Sequence, residues 1–325
     1  MGYAMASESR GGAAKLALDE LLRDGNDDGY PDDIRARIVL DGTPEPELWA
    51  AILDLAARLG LETSGFTPPL ITPAPTPAQL PIVVRNGDAQ APVRLASGWQ
   101  GQGREAIVAA GPNAVEQLAR LGQEAATPGE APSQPPATLD LRDLFETNGL
   151  LVDGGDGLPL GTRLTIVIPP GLPVFVGRAL ADFVARLGVE SGGVTFPVAT
   201  TGEPPAWAIP LRLNLRPGAE TELRVVSGPA LELAGDPEQA AYLIDTLARD
   251  WPRLPGLPAA SEAVDWLRRS LAGWTPAGRA ALLRADLRDL GAESGPVRLL
   301  VADQRERAAL RQTAQQALGP GAEVR

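Results

Sequence analysis

The sequence predicts an α/β protein built from two tandem duplicated α/β sandwich units with mixed sheets, followed by a C-terminal extension of helices and one strand–helix unit. The first observation behind this prediction is an internal repeat. From Asp28 to Pro69, 16 of 42 residues are identical to the residue 128 positions later. The second is that apolar segments rich in Val and Ile alternate with segments of helical periodicity. The third is that 325 residues with 44% hydrophobic composition suffice for two domains, each with its own compact core.

The first part of each unit is predicted to be a strand followed by a helix. Apolar, β-branched segments predict the strands, and apolar side chains at helical spacing predict the helices. The predicted strands are residues 35–40 and 163–168, and the predicted helices are residues 46–59 and 174–187. Gly60 and Gly188 follow these helices directly. We interpret both glycines as helix C-caps, because glycine adopts a positive φ without steric cost.

The second part of each unit is predicted to hold two strands, the last of which leads into a helix. The predicted strands are residues 80–85 and 106–111 in the first unit and 211–215 and 230–235 in the second, and the helices are residues 113–120 and 237–249. Asp236 and Pro237 suit the N-cap and first position of the last helix. Because no helix separates 80–85 from 106–111, we predict a mixed sheet rather than a parallel one.

Segments rich in Pro and small residues mark the predicted domain boundaries. The C-terminal part is predicted to contain helices at 261–271 and 276–290, a strand at 297–302, and a last helix that ends at Leu318 after a capping box of Asp303 and Glu306. The predicted organisation is a disordered N-terminus (1–14), a first α/β repeat (15–125), a linker (126–138), a second α/β repeat (139–256) and a C-terminal extension (257–325).

The composition excludes several kinds of chemistry and of partner. The chain has no Cys, no His and a single lysine, Lys15. Disulfides, thiolate nucleophiles, Ser-His-Asp triads and the common zinc sites are therefore excluded. The net charge of −12 makes nucleic acid and anionic membranes poor partners. Arginine in place of lysine is typical of a GC-rich, bacterial genome.

No targeting or membrane-spanning segment is apparent. Residues 1–14 lack the apolar run of a secretory signal, and no stretch of about 18 apolar residues is present to span a membrane. A cytoplasmic location is the default expectation. A secreted or periplasmic location stays open if the chain is a fragment of a longer protein.

An acidic loop near the N-terminus is the sharpest local signal for a cofactor, which would be calcium. Oxygen-bearing side chains alternate along the loop and a glycine permits a sharp turn, as a cation with six to eight oxygen ligands requires. The candidate ligands are Asp24, Asn26, Asp28, Asp32 and Asp33. The loop resembles the DxNxDGxxD loops of dockerin and thrombospondin type 3 repeats. The alternative is a polar turn whose side chains bond their own backbone. The corresponding loop of the second unit shares only the residues that make the turn, so the predicted metal site belongs to the first unit.

Paired carboxylates are the remaining candidates for catalysis in a chain without histidine. Glu62 and Glu190 occupy equivalent places after the two repeated helices. Their equivalence favours a structural role, since a catalytic pair needs different environments to separate its pKa values. Asp54 and Asp182 are also equivalent, and each precedes an arginine by four residues. We expect them to form ordinary surface pairs with these arginines.

Six tryptophans raise the question of a sugar-stacking surface. Trp99 lies in a Gly-rich segment and Trp207 in a Pro-rich one, so we expect these two to be exposed and to contact a ligand. Three others, Trp251, Trp266 and Trp274, are expected to anchor helix packing around the linker. The sixth is Trp49.

The order of elements resembles two known kinds of module. A strand, a helix ending in ARLG (57–60), a strand (LPIVV, 80–84) and a strand–Gly–helix unit resemble the small α/β domain that precedes the barrel in α-glucuronidases and β-hexosaminidases. The repeated strand–Gly–helix units also resemble modules of the bacterial cellulose synthase periplasmic subunit. Both resemblances imply an accessory, non-catalytic role, and they carry over no catalytic residue.

We therefore expect a non-catalytic binding or scaffolding module whose partner is a carbohydrate or a protein. The alternative is a carboxylate-dependent hydrolase, stabilised by calcium, that works in a cleft between the repeats. A third interpretation is an N-terminal fragment of a longer enzyme.

Overall fold

The protein is an α/β protein, as predicted, with parallel and antiparallel strands and helices packed against them. The structure is a computed structural model. It describes residues 21–86, 107–123, 149–153, 159–226, 228–250 and 307–318, with isolated positions at 135, 136, 138, 139, 141, 269 and 271. The predicted disordered N-terminus, Trp99, Trp251, Trp266, Trp274 and the predicted elements between 276 and 302 lie outside the described residues, as does most of the predicted helix 261–271.

The first half contains a three-stranded sheet with order β3–β4–β5. Its elements are the hairpin strands β1 (Leu22–Arg23) and β2 (Asp33–Ile34), the sheet strands β3 (Ala36–Asp41), β4 (Leu80–Arg85) and β5 (Ile107–Ala110), and the helices α1 (Pro46–Leu61) and α2 (Ala114–Gln123). All three sheet strands are parallel. The chain at Ile71 adds a parallel bridge to Ile38, at the edge of β3.

The second half repeats this arrangement in a larger sheet with order β11–β12–β10–β8–β9. Its elements are β6 (Leu151–Asp153), β7 (Pro159–Thr162), β8 (Leu164–Val167), β9 (Ala199–Thr200), β10 (Ile209–Leu215), β11 (Glu222–Val226) and β12 (Ala230–Gly235), with the helices α3 (Val174–Val189) and α4 (Pro237–Asp250). Strand β11 is antiparallel to β12, and the other sheet neighbours are parallel. A last helix, α5, spans Arg307–Leu318.

The reason behind the predicted mixed sheet was wrong. Strands β4 and β5 pair in parallel although no helix was predicted between them. In the second half β10 and β12 are also parallel, and the intervening β11 folds back onto the outer side of β12. The second sheet is therefore mixed because of its edge strand. The residues that join β4 to β5 lie mostly outside the described part of the chain.

Helices α1 and α3 pack against each other, and the role of two of their glycines differs from the prediction. Gly60 and Gly188 lie within the helices, and the C-cap residues are Glu62 and Glu190. A Cβ atom at Gly60 would lie 1.9 Å from the carbonyl oxygen of Ala185, and a Cβ at Gly188 would lie 2.3 Å from that of Ala57. These glycines are needed for close helix contact, not for ending the helices.

The two halves share one hydrophobic core. A single continuous cluster of buried side chains includes Ile38 and Ile52 of the first half together with Ile166 and Leu180 of the second. This differs from the expectation that each unit forms a compact body of its own. The physical reason is that α1 and α3 are apolar on almost every side, so each helix buries one face on its own sheet and another on its counterpart. The domain boundaries themselves stay a prediction.

Candidate functional site

The acidic loop of the predicted calcium site joins the two strands of the β1–β2 hairpin. Two positions adopt positive φ, Asp27 at 58° and Gly29 at 90°, and they bend the chain back on itself. The side chains then accept hydrogen bonds from the loop's own amides. Asp24 Oδ2 accepts from Gly29 N at 2.8 Å, and Asp28 Oδ1 accepts from Tyr30 N at 2.8 Å. The loop therefore has the polar-turn geometry of the alternative interpretation.

The other predicted ligands also have protein partners. Asn26 Oδ1 accepts from Asp28 N at 3.0 Å, and Asp32 Oδ2 accepts from Gly25 N at 2.9 Å. Asp33 Oδ1 accepts from Thr67 N at 2.8 Å, which ties the hairpin to the segment after α1. The backbone amide of Gly29 is the main reason that the pKa of Asp24 lies below its usual value.

Calcium binding at this loop stays a prediction. Within the described ranges, no group of three or more His, Cys, Asp or Glu side chains is arranged to hold a metal ion. The hairpin β6–β7 takes the corresponding place in the second half, and residues 154–158 at its tip lie outside the described part.

Glu62 and Glu190, the candidate catalytic pair, form ion pairs with arginines on their own helices. Glu62 Oε1 lies 3.2 Å from Arg58 Nη2, and Glu190 Oε1 lies 2.5 Å from Arg186 Nη2. Burial raises the pKa of Glu190, while Arg186 acts in the opposite direction. Both residues occupy the C-cap position, so the predicted structural role agrees with their surroundings.

Asp54 and Asp182 do not form the predicted surface pairs with Arg58 and Arg186. Each aspartate instead reaches the other half of the protein. Asp54 Oδ1 accepts hydrogen bonds from the amides of Val198 at 2.9 Å and Ala199 at 3.3 Å. Asp182 Oδ1 accepts from the amide of Leu70 at 2.7 Å. The prediction was wrong because each arginine lies four residues from two acidic side chains and pairs with the later one.

Asp182 is buried and Asp54 is partly buried, and this burial changes the pKa values of both aspartates. Burial raises the pKa of Asp54 to about 7, against the opposing effect of the two amides. Burial likewise raises the pKa of Asp182 to about 7; the negative charge of Asp245 adds to this shift, and the Leu70 amide and Arg37 oppose it. Sequence reasoning missed this role. Its available signal was an aspartate flanked on both sides by apolar residues of the helix, ILDLA and LADFV.

A charged pair lies at the carboxyl end of the first sheet, where α/β proteins commonly bind ligands. Arg85 Nη2, at the end of β4, lies 3.1 Å from Asp41 Oδ2, at the end of β3. Next to it, Asn86 Nδ2 donates to the carbonyl oxygen of Thr43 at 2.9 Å. The second half has Pro169 at the position of Asp41, so this pair belongs to the first half alone. Sequence reasoning also missed it.

The outer face of the second sheet carries a polar row that crosses three strands. Arg224 of β11 donates to Glu232 of β12 at 2.9 Å, and Asn214 of β10 donates to the same carboxylate at 3.1 Å. Arg212 of β10 is the register neighbour of Glu232 and is exposed. The members of this row meet only through strand pairing, so the row is not visible in the sequence.

Of the two predicted ligand tryptophans, the structure describes Trp207. Trp207 lies two residues before β10 and is partly exposed. Trp49, to which the sequence assigned no role, is buried. The second half also contains a cavity of about 30 Å³, lined by apolar side chains such as Phe183, Leu211 and Leu243. The lining side chains are apolar, so this small cavity offers no polar group to hold a substrate.

Comparison with known proteins identifies no relative: no protein-family model, curated protein or solved structure matches this chain. Among the helices that the structure describes, none is long and apolar enough to cross a membrane.

Proposed function

We propose that this protein is a non-catalytic binding or scaffolding module whose partner is a carbohydrate or a protein. The observation that carries the proposal is that the four candidate carboxylates already have partners within the protein. Glu62 and Glu190 close ion pairs with arginines on their own helices, and Asp54 and Asp182 accept hydrogen bonds from backbone amides. Carboxylates held in this way support the fold, whereas a catalytic acid or base must reach the substrate.

The polar row on the second sheet is the surface that best suits such a partner. It presents guanidinium, amide and carboxylate groups from Arg212, Arg224, Asn214 and Glu232 on a face of paired strands. Planar groups of this kind form hydrogen bonds with sugar hydroxyls and with peptide groups. The partly exposed Trp207 adds an aromatic surface on which a sugar ring can stack.

The carbohydrate form of the proposal is tested with oligosaccharides of glucose, N-acetylglucosamine and xylose, because the resembled modules belong to proteins that handle such sugars. We expect calorimetric binding of at least one of them, weakened by Arg224→Ala and by Trp207→Ala. Arg311→Ala is the matched control, since Arg311 is an exposed arginine on α5. Absence of heat with all three sugars contradicts a carbohydrate partner, and equal loss in the control contradicts this surface.

A carboxylate-dependent hydrolase is the second candidate function. The observation in its favour is that burial raises the pKa of Asp54 and Asp182 to about 7, near which a carboxylic acid can donate a proton at neutral pH. Hydrolysis of chromogenic glycosides separates the two functions when it is measured for two double variants. One replaces Asp54 and Asp182 with Asn, and the other replaces Glu62 and Glu190 with Gln. Lost hydrolysis in a folded variant supports the hydrolase, and unchanged binding and folding dismiss it at those residues.

A further inference from the structure

Helices α1 and α3 lie side by side and run in the same direction. Trp49 contacts Gly177 near one end of the pair, and Gly188 contacts Gly60 near the other. These contacts are 11 residues apart on both helices, since 60 minus 49 and 188 minus 177 both give 11. Each contact joins residues 128 positions apart, which are equivalent in the repeat. The helices are therefore related by an approximate twofold axis parallel to their length.

Much of this interface presents the same residues from both sides. Gly60 and Gly188 permit the close approach, and the carbonyl oxygens they face belong to Ala185 and Ala57, which are themselves equivalent. Asp54 and Asp182, described above, bind the edge segment of the opposite half. A surface with such twofold symmetry is self-complementary. These residues alone would let the first half pair with the first half of a second copy as readily as with the second half of its own chain.

Position 49 and its equivalent 177 break this symmetry. Trp49 is buried, with 1% of its surface exposed. A Cβ atom at Gly177 would lie only 2.4 Å, 2.5 Å and 2.6 Å from three carbon atoms of the indole ring. The indole therefore occupies the space that a side chain at position 177 would need. Two tryptophans cannot occupy that space together, and two glycines would leave it empty.

We propose that the Trp49–Gly177 contact makes the α1–α3 interface selective, so that the first half binds the second half and rejects a second copy of itself. Pairing of two first halves places one indole against another at the axis. Pairing of two second halves opens a cavity of about the volume of an indole, which removes the packing contacts of its lining. Only a first half paired with a second half places a single indole ring in this space.

The proposal is tested in the full chain by moving the large side chain from one helix to the other. The proteins are wild type, Trp49→Gly, Gly177→Trp and the double variant, with urea unfolding followed by far-ultraviolet circular dichroism. We expect both single variants to unfold at lower urea and the double variant to unfold at higher urea than Gly177→Trp. The control combines Gly177→Trp with Phe183→Ala, which removes a ring elsewhere on α3 and should give no recovery.

A double variant that unfolds at or below the urea concentration of Gly177→Trp overturns the proposal, and so does equal recovery in the control. Should Gly177→Trp yield no folded protein, Gly177→Ala replaces it and Trp49→Leu provides the space. The same comparison then applies, because a single methyl group at position 177 already meets the indole ring.

Selectivity is measured by cutting the full chain at a protease site inserted in the predicted linker, residues 126–138. The pieces are unfolded, mixed, refolded and weighed by native mass spectrometry. We expect complexes of one N-terminal and one C-terminal piece, both for wild type and for the W49G piece with the G177W piece. The wild-type N-terminal piece with the G177W piece should form none. Complexes of two N-terminal pieces, or equal association in every combination, overturn the proposal.

Discussion

The carboxylate of Asp54 accepts a hydrogen bond from the amide of Val198 at 2.9 Å, although the two residues are 144 positions apart in the chain. The equivalent residues repeat the contact in the opposite sense, with Asp182 accepting from Leu70 at 2.7 Å. Each repeated helix thus holds the sheet-edge segment of the other half. Two reciprocal bonds of this kind, on either side of the α1–α3 contact, connect the two halves.

At about pH 4, where the raised pKa keeps the carboxyl group of Asp54 protonated, replacing Asp54 with Ala should lower the free energy of unfolding by about 2 kcal/mol, because two buried amides lose their acceptor. Urea denaturation measures the change. Asp54→Asn retains an acceptor oxygen and should cost less. Equal losses for the two variants would show that the hydrogen bonds contribute little to stability.

The raised pKa values of Asp54 and Asp182 predict an unusual dependence of stability on pH. Between about pH 4 and pH 7 the folded state binds protons on these carboxyl groups that the unfolded state has released. Their contribution to stability is therefore greatest at acid pH and falls as pH rises to about 7. A carboxyl group shifted this far contributes up to about 4 kcal/mol of such dependence.

The measurement is the difference in unfolding free energy between wild type and the double variant Asp54→Asn, Asp182→Asn across this pH range. Taking a difference removes the contribution of other carboxylates, such as Asp24, Glu232 and Asp236, whose pKa values are lowered. A difference that stays constant with pH would mean that neither aspartate titrates near neutrality in the folded protein.

Gly60→Ala should destabilise the protein by about 3 kcal/mol, although the same change usually stabilises a helix. The added methyl group would lie 1.9 Å from the carbonyl oxygen of Ala185, so α1 and α3 would have to separate. Thermal unfolding measures the loss. Gly202→Ala is the matched control, since a Cβ there would meet only Thr200 Oγ1 at 3.9 Å. A similar melting temperature for both variants would contradict the close helix contact.

Calcium should bind to the acidic loop with heat detectable by calorimetric titration, because its side-chain oxygens alternate along the chain as a hard cation requires. Asp24→Ala and Asp28→Ala should abolish that heat. Glu222→Gln, which removes an exposed carboxylate from β11, is the control and should leave it unchanged. No heat at millimolar calcium would leave the loop as a polar turn.

The helices and strands could be predicted from the sequence because they depend on local patterns. Strands β4 and β12 have the predicted bounds, and α1 and α3 begin where predicted and extend two residues further. The N-cap of α4 was also predicted, and Asp236 Oδ1 accepts from the amide of Glu238 at 2.9 Å. Periodicity and capping chemistry act within a few residues, so one sequence suffices to find them.

The roles of Gly60, Gly188, Asp54 and Asp182 depended on the tertiary structure. Locally, a glycine near the end of a helix fits a cap and an aspartate four residues before an arginine fits an ion pair. Which interaction forms depends on the second helix and the edge segment more than a hundred residues away. The repeated elements and the absence of histidine and cysteine chemistry follow from the amino-acid sequence alone. Only the packing of the halves decided which polar groups are buried, because burial and backbone contact are properties of surfaces that local spacing does not encode.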